Sequence, residues 1–354
     1  MLNIRMAAFE KTLTILSIDP TDADELLELG MRYKILDTSK ETLLLVVPLI
    51  PEGSKEEYNF CDSNNYDTTV SYRSAFKMAF WLAKAFPDLV VFVDSNCVDE
   101  RNPVSQKIYH HLSANLPDVE KEMGNDPPQN LCLCCNDFKM IINTHYNITT
   151  NVGRPCTGFM YLANKFNFVE KVNQKIYVQG GSIWGKESGT VNLPDMFCRT
   201  PRESMNMARN PTAFLELVKM VKGNIRIIPT AYTNTRSIED INLIIDSVYI
   251  PEKSWVNMPY MLERKEVLAC IELNKCCKKY YSQERFKNGA KLFDLDLFYI
   301  STNSDEHKFN KMKCAIKKGL GEMELHNGEL NDNIDYEHFP EVEVIDMGNI
   351  IKQD

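Results

Sequence analysis

Leu43-Leu44-Leu45-Val46-Val47-Pro48-Leu49-Ile50 stays apolar throughout, and Pro51-Glu52-Gly53 stops it. A strand wetted on one face alternates apolar with polar residues. A run that is apolar at every position suits a strand buried on both faces, as in a parallel sheet covered by helices. Neighbouring segments read the same way. Thr12 to Ile18 is rich in β-branched residues and alternates. Asp19-Pro20-Thr21-Asp22 then supplies a turn and a helix N-cap, and Leu26, Leu27, Leu29 and Met31 follow at helical spacing over Ala23 to Tyr33. Phe76, Ala79, Phe80 and Ala83 mark one face of a helix from Tyr72 to Phe86, and Leu89 to Val93 is a further apolar strand.

Strands alternating with amphipathic helices through the first 120 residues predict an α/β fold. The central sheet is expected to be mostly parallel in the N-terminal half, with an α+β C-terminal portion. The expected divisions are a nucleotide-binding-like half over 1–130, an α+β half over 131–320 and an acidic C-terminal tail over 321–354. In the second half, strands are expected at Leu131 to Cys135, Phe138 to Asn143, Ile176 to Val178, Ile225 to Ile228 and Lys291 to Ile300. Helices are expected at Thr212 to Val221, Glu263 to Tyr281 and Phe309 to Lys318, while Ile241 to Ile250 is open between the two.

The chain has 354 residues and a net charge of −9, with 25% charged and 44% hydrophobic residues. That balance is ordinary for a globular protein, and the acidic excess argues against a dedicated nucleic-acid binder. Lys311, Lys313, Lys317 and Lys318 are read as a solvated helix face. Eleven cysteines, including the adjacent pairs Cys134–Cys135 and Cys276–Cys277, show no regular disulfide framework. A reducing, cytoplasmic setting is expected, with no signal peptide and no membrane span. Adjacent cysteines on a strand face opposite ways, which disfavours a zinc site from Cys132, Cys134 and Cys135 with His145 or Cys156.

The element that most suggests chemistry is Leu89-Val90-Val91-Phe92-Val93-Asp94-Ser95-Asn96. A buried parallel strand that closes on an acid offers a carboxylate at the sheet edge where α/β proteins bind ligands. Such an Asp holds Mg²⁺ or Mn²⁺ through oxygen, with Asn96 as a neutral second donor, or it simply ties off an Asx-turn. Arg73 and Lys77 share a face of the preceding helix and are candidates for phosphate contacts. Asp294-Leu295-Asp296 is read as the solvent-facing side of a strand.

Residues 72–96, YRSAFKMAFWLAKAFPDLVVFVDSN, resemble the helix–strand–Asp-x-Asp segment of GT-A-fold glycosyltransferases, departing at Asn96, where that class has a second Asp. Asn151-Val152-Gly153 to Tyr161, and Gly180-Gly181-Ser182-Ile183-Trp184-Gly185, resemble its later strand and its acceptor-side segment. The resemblance covers residues 72–190. It implies transfer of a sugar from a nucleotide-sugar donor, with Asp94 at the metal and diphosphate. Gly180, Gly181 and Trp184 would lie on the acceptor side and Asp195 would serve as general base. The alternatives are a non-catalytic, self-assembling viral protein, or an RNA-associated protein using Lys275 to Lys291 with Tyr280, Tyr281 and Phe286 as stacking groups.

Overall fold

A computed structural model describes residues 11–20, 22–49, 68–98, 116, 119, 128–169, 175–180, 183–184, 206, 211–222, 224–248, 264–317, 322–326 and 336–346. The first half holds β1 (Thr12–Ser17), α1 (Ala23–Ile35), β2 (Glu41–Leu49), α2 (Thr68–Ala85) and β3 (Leu89–Val98). Next come β4 (Leu131–Cys132), α3 (Cys135–Thr144), β5 (Asn147–Val152), α4 (Thr157–Phe166), β6 (Ile176–Gln179) and β7 (Ile183–Trp184). The second half adds α5 (Pro211–Val221), β8 (Ile225–Ile228), β9 (Thr235–Arg236), α6 (Ile238–Val248), α7 (Arg264–Tyr281), β10 (Ala290–Lys291) and α8 (Phe293–Thr302). It ends in β11 (Phe309–Lys317), β12 (Glu322–His326) and β13 (Tyr336–Ile345).

One sheet runs β4-β3-β2-β1-β5-β6-β8-β13-β11-β12-β7, and β9 pairs with β10 separately. From β4 to β13 every pairing is parallel, while β11 is antiparallel to both β13 and β12. The fold is therefore α/β with a mostly parallel central sheet. The expected acidic tail is part of it: β13 inserts between β8 and β11, so the sheet continues across both expected divisions.

Helices cover both faces, and strand alternation divides the side chains between them. Leu16 and Ile18 of the β1 segment, with Leu43, Leu45 and Leu89, pack against α1, α2, α6, α7 and α8. Leu13 and Ile15, with Leu44, Val46 and Phe92, pack against α3, α4 and α5. Burial on both sides is why β2 is apolar at successive positions.

Three expectations fail locally. Residues 135–144 form a helix where a strand was read, because Phe138 and Ile142, four apart, are the positions the core takes. Phe293–Thr302 is helical where Lys291 to Ile300 was read as a strand: Leu295, Leu297, Phe298 and Ile300 are all buried, and an element apolar on several sides has no diagnostic period. Phe309–Lys317 is a strand, so its lysines alternate along a β-ladder instead of lining a helix.

Candidate functional site

β1 is followed in the sheet by β2, β3 and β4 on one side, and by β5, β6 and β8 on the other. The chain therefore departs in opposite directions from adjacent strands β1 and β5. Such a switch point leaves a crevice at the carboxyl ends of the two strands, where open α/β sheets bind ligands. The Gly153 amide donates to the Ser17 carbonyl at 3.1 Å, and the buried Arg154 donates from Nε to Ser17 Oγ at 3.1 Å.

Acids crowd this crevice. Asp19 follows β1, Asp22 caps α1 and accepts from the Ala23 amide at 2.7 Å, and Asp24 and Glu25 lie in the first helical turn. Glu28 is one turn further, and Asp294 arrives from the first turn of α8 with its amide 3.4 Å from Asp24 Oδ2. Asp19, Asp24, Glu25, Glu28 and Asp294 are all buried. Gly153 is required where it stands: a Cβ there would lie 2.1 Å from Asp294 Oδ1 and 3.3 Å from Glu25 Oε1. A layer below, Asn151 donates from Nδ2 to Glu28 Oε1 at 2.7 Å and to Ser301 Oγ at 2.9 Å. Asn206 donates to the Gly153 carbonyl at 2.6 Å and to Gln179 Oε1 at 2.7 Å, tying the ends of β5 and β6 together.

Burial and mutual repulsion keep protons on this cluster. Burial first, then the charges of Asp294, Asp19, Asp22 and Asp24, holds Glu25 well above the usual carboxylate range. Burial and then Asp24 do the same to Asp294, and burial, Asp24 and Asp19 to Asp22. Asp24 is raised by burial too, but the Asp294 amide draws it back. Glu28 is pushed up to about 7 by burial, against the opposing pull of Arg32 and Asn151. Glu25 Oε2, Glu28 Oε2, Asn151 Oδ1 and Asp294 Oδ1 are buried without a hydrogen-bond partner in the structure. Each such atom costs about 1–3 kcal/mol when left unsatisfied. The crevice is thus built to receive hydroxyl or amine donors, or positive charge.

Of the residues singled out in the sequence, Asp94 lies on the other face of the sheet. Asp94 is buried, but its partner is a thiol: Cys135 Sγ donates to its Oδ2 at 2.5 Å. Alternation puts it with Phe92 on the α3/α4 face, opposite α1 and α8. Lys77 is half-buried on α2; Arg73 is in the same helix and Asn96 is in β3, with side chains outside the described residues. Gly180 follows β6 with φ 133°, a conformation glycine adopts readily, and donates to the Ile228 carbonyl at 2.9 Å. Gly181 and Asp195 lie outside the described residues. Trp184 sits in β7 at one edge of the sheet, and eight strands separate β7 from β3. At a strand spacing of about 4.8 Å that is roughly 40 Å along the sheet, so Asp94 and Trp184 do not share a site. Among the described residues no group of three or more His, Cys, Asp or Glu is arranged to hold a metal ion. No helix among them is long and apolar enough to cross a membrane.

No protein-family model matches the chain, and no curated protein sequence matches it. Solved structures do. The inosine-uridine preferring nucleoside hydrolase from Bacillus anthracis superposes with a TM-score of 0.56 at 14% identity, over 95% of this chain and 93% of that one. A plant nucleoside hydrolase gives 0.56 at 13%, over 97% and 96%. The type III effector protein XopQ, solved with adenosine diphosphate ribose, gives 0.54 at 11%, over 97% and 91%. These likenesses span nearly the whole chain and establish a shared fold. They overturn the glycosyltransferase expectation, which rested on short motifs within 72–190: the chain has the fold of nucleoside hydrolases.

Proposed function

We propose that the chain hydrolyses the N-glycosidic bond of a nucleoside or a related N-ribosyl compound in the crevice between β1 and β5. The observation that carries this reading is the convergence of Asp19, Asp24, Glu25 and Asp294 at the switch point of this fold. Cleaving a bond between a ribose and a base develops positive charge on the sugar ring. Pre-organised carboxyl oxygens in a buried site, together with the Asp24 carboxylate in its ionised form, stabilise that charge more strongly than water does. The unpartnered oxygens of Glu25 and Asp294 suit ribose hydroxyls, which are hydrogen-bond donors. Asp24, the less strongly perturbed of the facing pair, is assigned as the base that draws a proton from water. Asp294 and Glu25, which hold their protons, are assigned as donors to the substrate. Carboxylate oxygens also suit a hard divalent cation such as Mg²⁺, Mn²⁺ or Ca²⁺. No step here is routed through such an ion.

The test is release of free base from inosine, uridine, guanosine, adenosine and adenosine diphosphate ribose, followed by chromatography with and without divalent cations. Base release from at least one compound, lost in Asp24→Asn and Asp294→Asn, is expected. A folded protein that neither releases base from any of them nor shifts its melting temperature with them would end the proposal.

A further inference from the structure

Asp94 stands outside the acidic crevice but has a neighbourhood of its own. Cys135 opens α3 and donates its thiol proton to Asp94 Oδ2 at 2.5 Å. Lys165, in the last turn of α4, donates from Nζ to the same sulfur at 2.8 Å and to the Tyr161 hydroxyl at 2.5 Å. A thiol therefore sits between a buried carboxylate and an exposed ammonium. Cys134, the exposed N-cap, is adjacent, and Cys132 at the end of β4 gives a Cys-x-x-Cys spacing with Cys135.

The other described cysteines behave differently. Cys97, Cys156, Cys270, Cys276, Cys277 and Cys314 are all buried in the two apolar cores, the usual place for cysteine acting as a small hydrophobe. The three described cysteines that are not buried all fall within residues 132–135. Burial, and then the hydrogen bond to Asp94, raises the Cys135 thiol above its ordinary range, with Lys165 pulling the other way. The arrangement does not keep a resting thiolate. It keeps a thiol whose proton already has an acceptor, with a proton donor on its open side.

We propose that Cys135 is a site of oxidation by hydrogen peroxide, with Asp94 taking the thiol proton and Lys165 protonating the departing oxygen. The sulfur attacks one peroxide oxygen and the O–O bond breaks. The S–H proton passes to Asp94, and the leaving hydroxide takes a proton from Lys165 and departs as water. Sulfur loses two electrons, peroxide gains two, and the products are the Cys135 sulfenic acid and one water. Asp94 then returns its proton through solvent to Lys165. A second thiol, Cys134 or Cys132, displaces the hydroxyl of the sulfenic acid to give a disulfide and a second water.

The experiment treats the full chain with equimolar hydrogen peroxide in the presence of dimedone and locates the products by peptide mass spectrometry. Expected are a dimedone adduct on Cys135, or its disulfide with Cys132 or Cys134, appearing well before any adduct on Cys134 alone. Asp94→Asn and Lys165→Met should each slow oxidation of Cys135 by about tenfold or more, the low end of what a positioned acid or base contributes. Cys134→Ser should leave the dimedone adduct on Cys135 intact, which shows that the adduct does not depend on prior oxidation of Cys134. Oxidation of Cys134 with Cys135 untouched overturns the proposal. So does an Asp94→Asn protein oxidised at Cys135 as fast as wild type or faster.

Discussion

Asp19 follows one buried parallel strand and Asp94 lies in another of the same sheet, yet the fold gives them different surroundings. Asp19 lies beyond the end of β1, where the neighbouring strands β2 and β5 lead the chain apart and leave a crevice. Asp94 lies within β3, where β2, β3 and β4 step in one direction and α3 and α4 close over the strand. Around Asp19 the further arrivals are acids: Asp22, Asp24, Glu25 and Asp294. Around Asp94 they are a thiol and an ammonium. An aspartate on an apolar strand is therefore not a site by itself; its strand's place relative to the reversal of strand order decides what it meets.

The strongest way to break this contrast is to neutralise each side in turn. Asp24→Asn and Asp294→Asn are expected to lower kcat/KM for base release by about 10²–10⁴-fold, the usual contribution of a positioned proton-transfer group. Asp94→Asn should leave it within about threefold, since its partners lie on the other face of the sheet. Equal losses on both sides would mean that Asp94 reaches the substrate and that the division between the two faces is wrong.

The N-terminal architecture was legible because periodicity speaks clearly in β1, β2, β3, α1 and α2, where apolar runs and helical stripes are long. The acidic crevice was half legible. Asp19 and Asp22 were seen, but a turn and an N-cap explained them locally, and carboxylates in a first turn suit the helix dipole whatever else they do. The surplus was the missed signal: Asp19, Asp22, Asp24, Glu25 and Glu28 fall within ten residues, more than one cap needs. Asp294 was illegible, since its segment has no clear period and its partner Asp24 is 270 residues away. Asp94 drew attention because its motif is compact, but nothing in its neighbours announces Cys135 or Lys165. Contacts between elements are set by topology, which a single sequence does not display.

The second way to sharpen the comparison is through protons. Glu28, beneath the crevice, has its value moved from the ordinary 4.5 to about 7 in the folded chain. The folded protein then holds this proton more tightly than the unfolded chain does. The resulting stability is complete below about pH 4.5 and is lost as pH rises through about 7. Linkage puts the loss at on the order of 3 kcal/mol. Asp24, Glu25 and Asp294 are shifted the same way. The urea midpoint should therefore fall between pH 5 and pH 8, and Glu28→Gln should flatten part of that slope. Gln retains an oxygen to accept from Asn151. A midpoint that holds or climbs over this range would show that the buried acids do not retain their protons.

The smallest expected effect compares two glycines, one beside each region. Gly153→Ala places a Cβ 2.1 Å from Asp294 Oδ1 and 3.0 Å from its Cγ. Asp294 has a short side chain on the first turn of a packed helix, so it has little room to withdraw. Overpacking of this kind costs about 1–3 kcal/mol, and the displaced carboxyl should cost activity as well. Gly158→Ala, on α4, meets Arg154 Nη2 at 3.0 Å and Cys97 Sγ at 3.1 Å. Those contacts need shifts of only a few tenths of an ångström, and alanine favours the helix by up to about 1 kcal/mol over glycine, so the two terms nearly cancel. Melting temperatures should thus separate the variants, with Gly153→Ala clearly lower and Gly158→Ala close to wild type. Activity should follow the same order, because only the first substitution moves an acid of the crevice. If Gly158→Ala proved the more damaging, the tighter constraint would lie around Arg154 and Cys97, and the crevice would have slack that its buried carboxylates do not suggest.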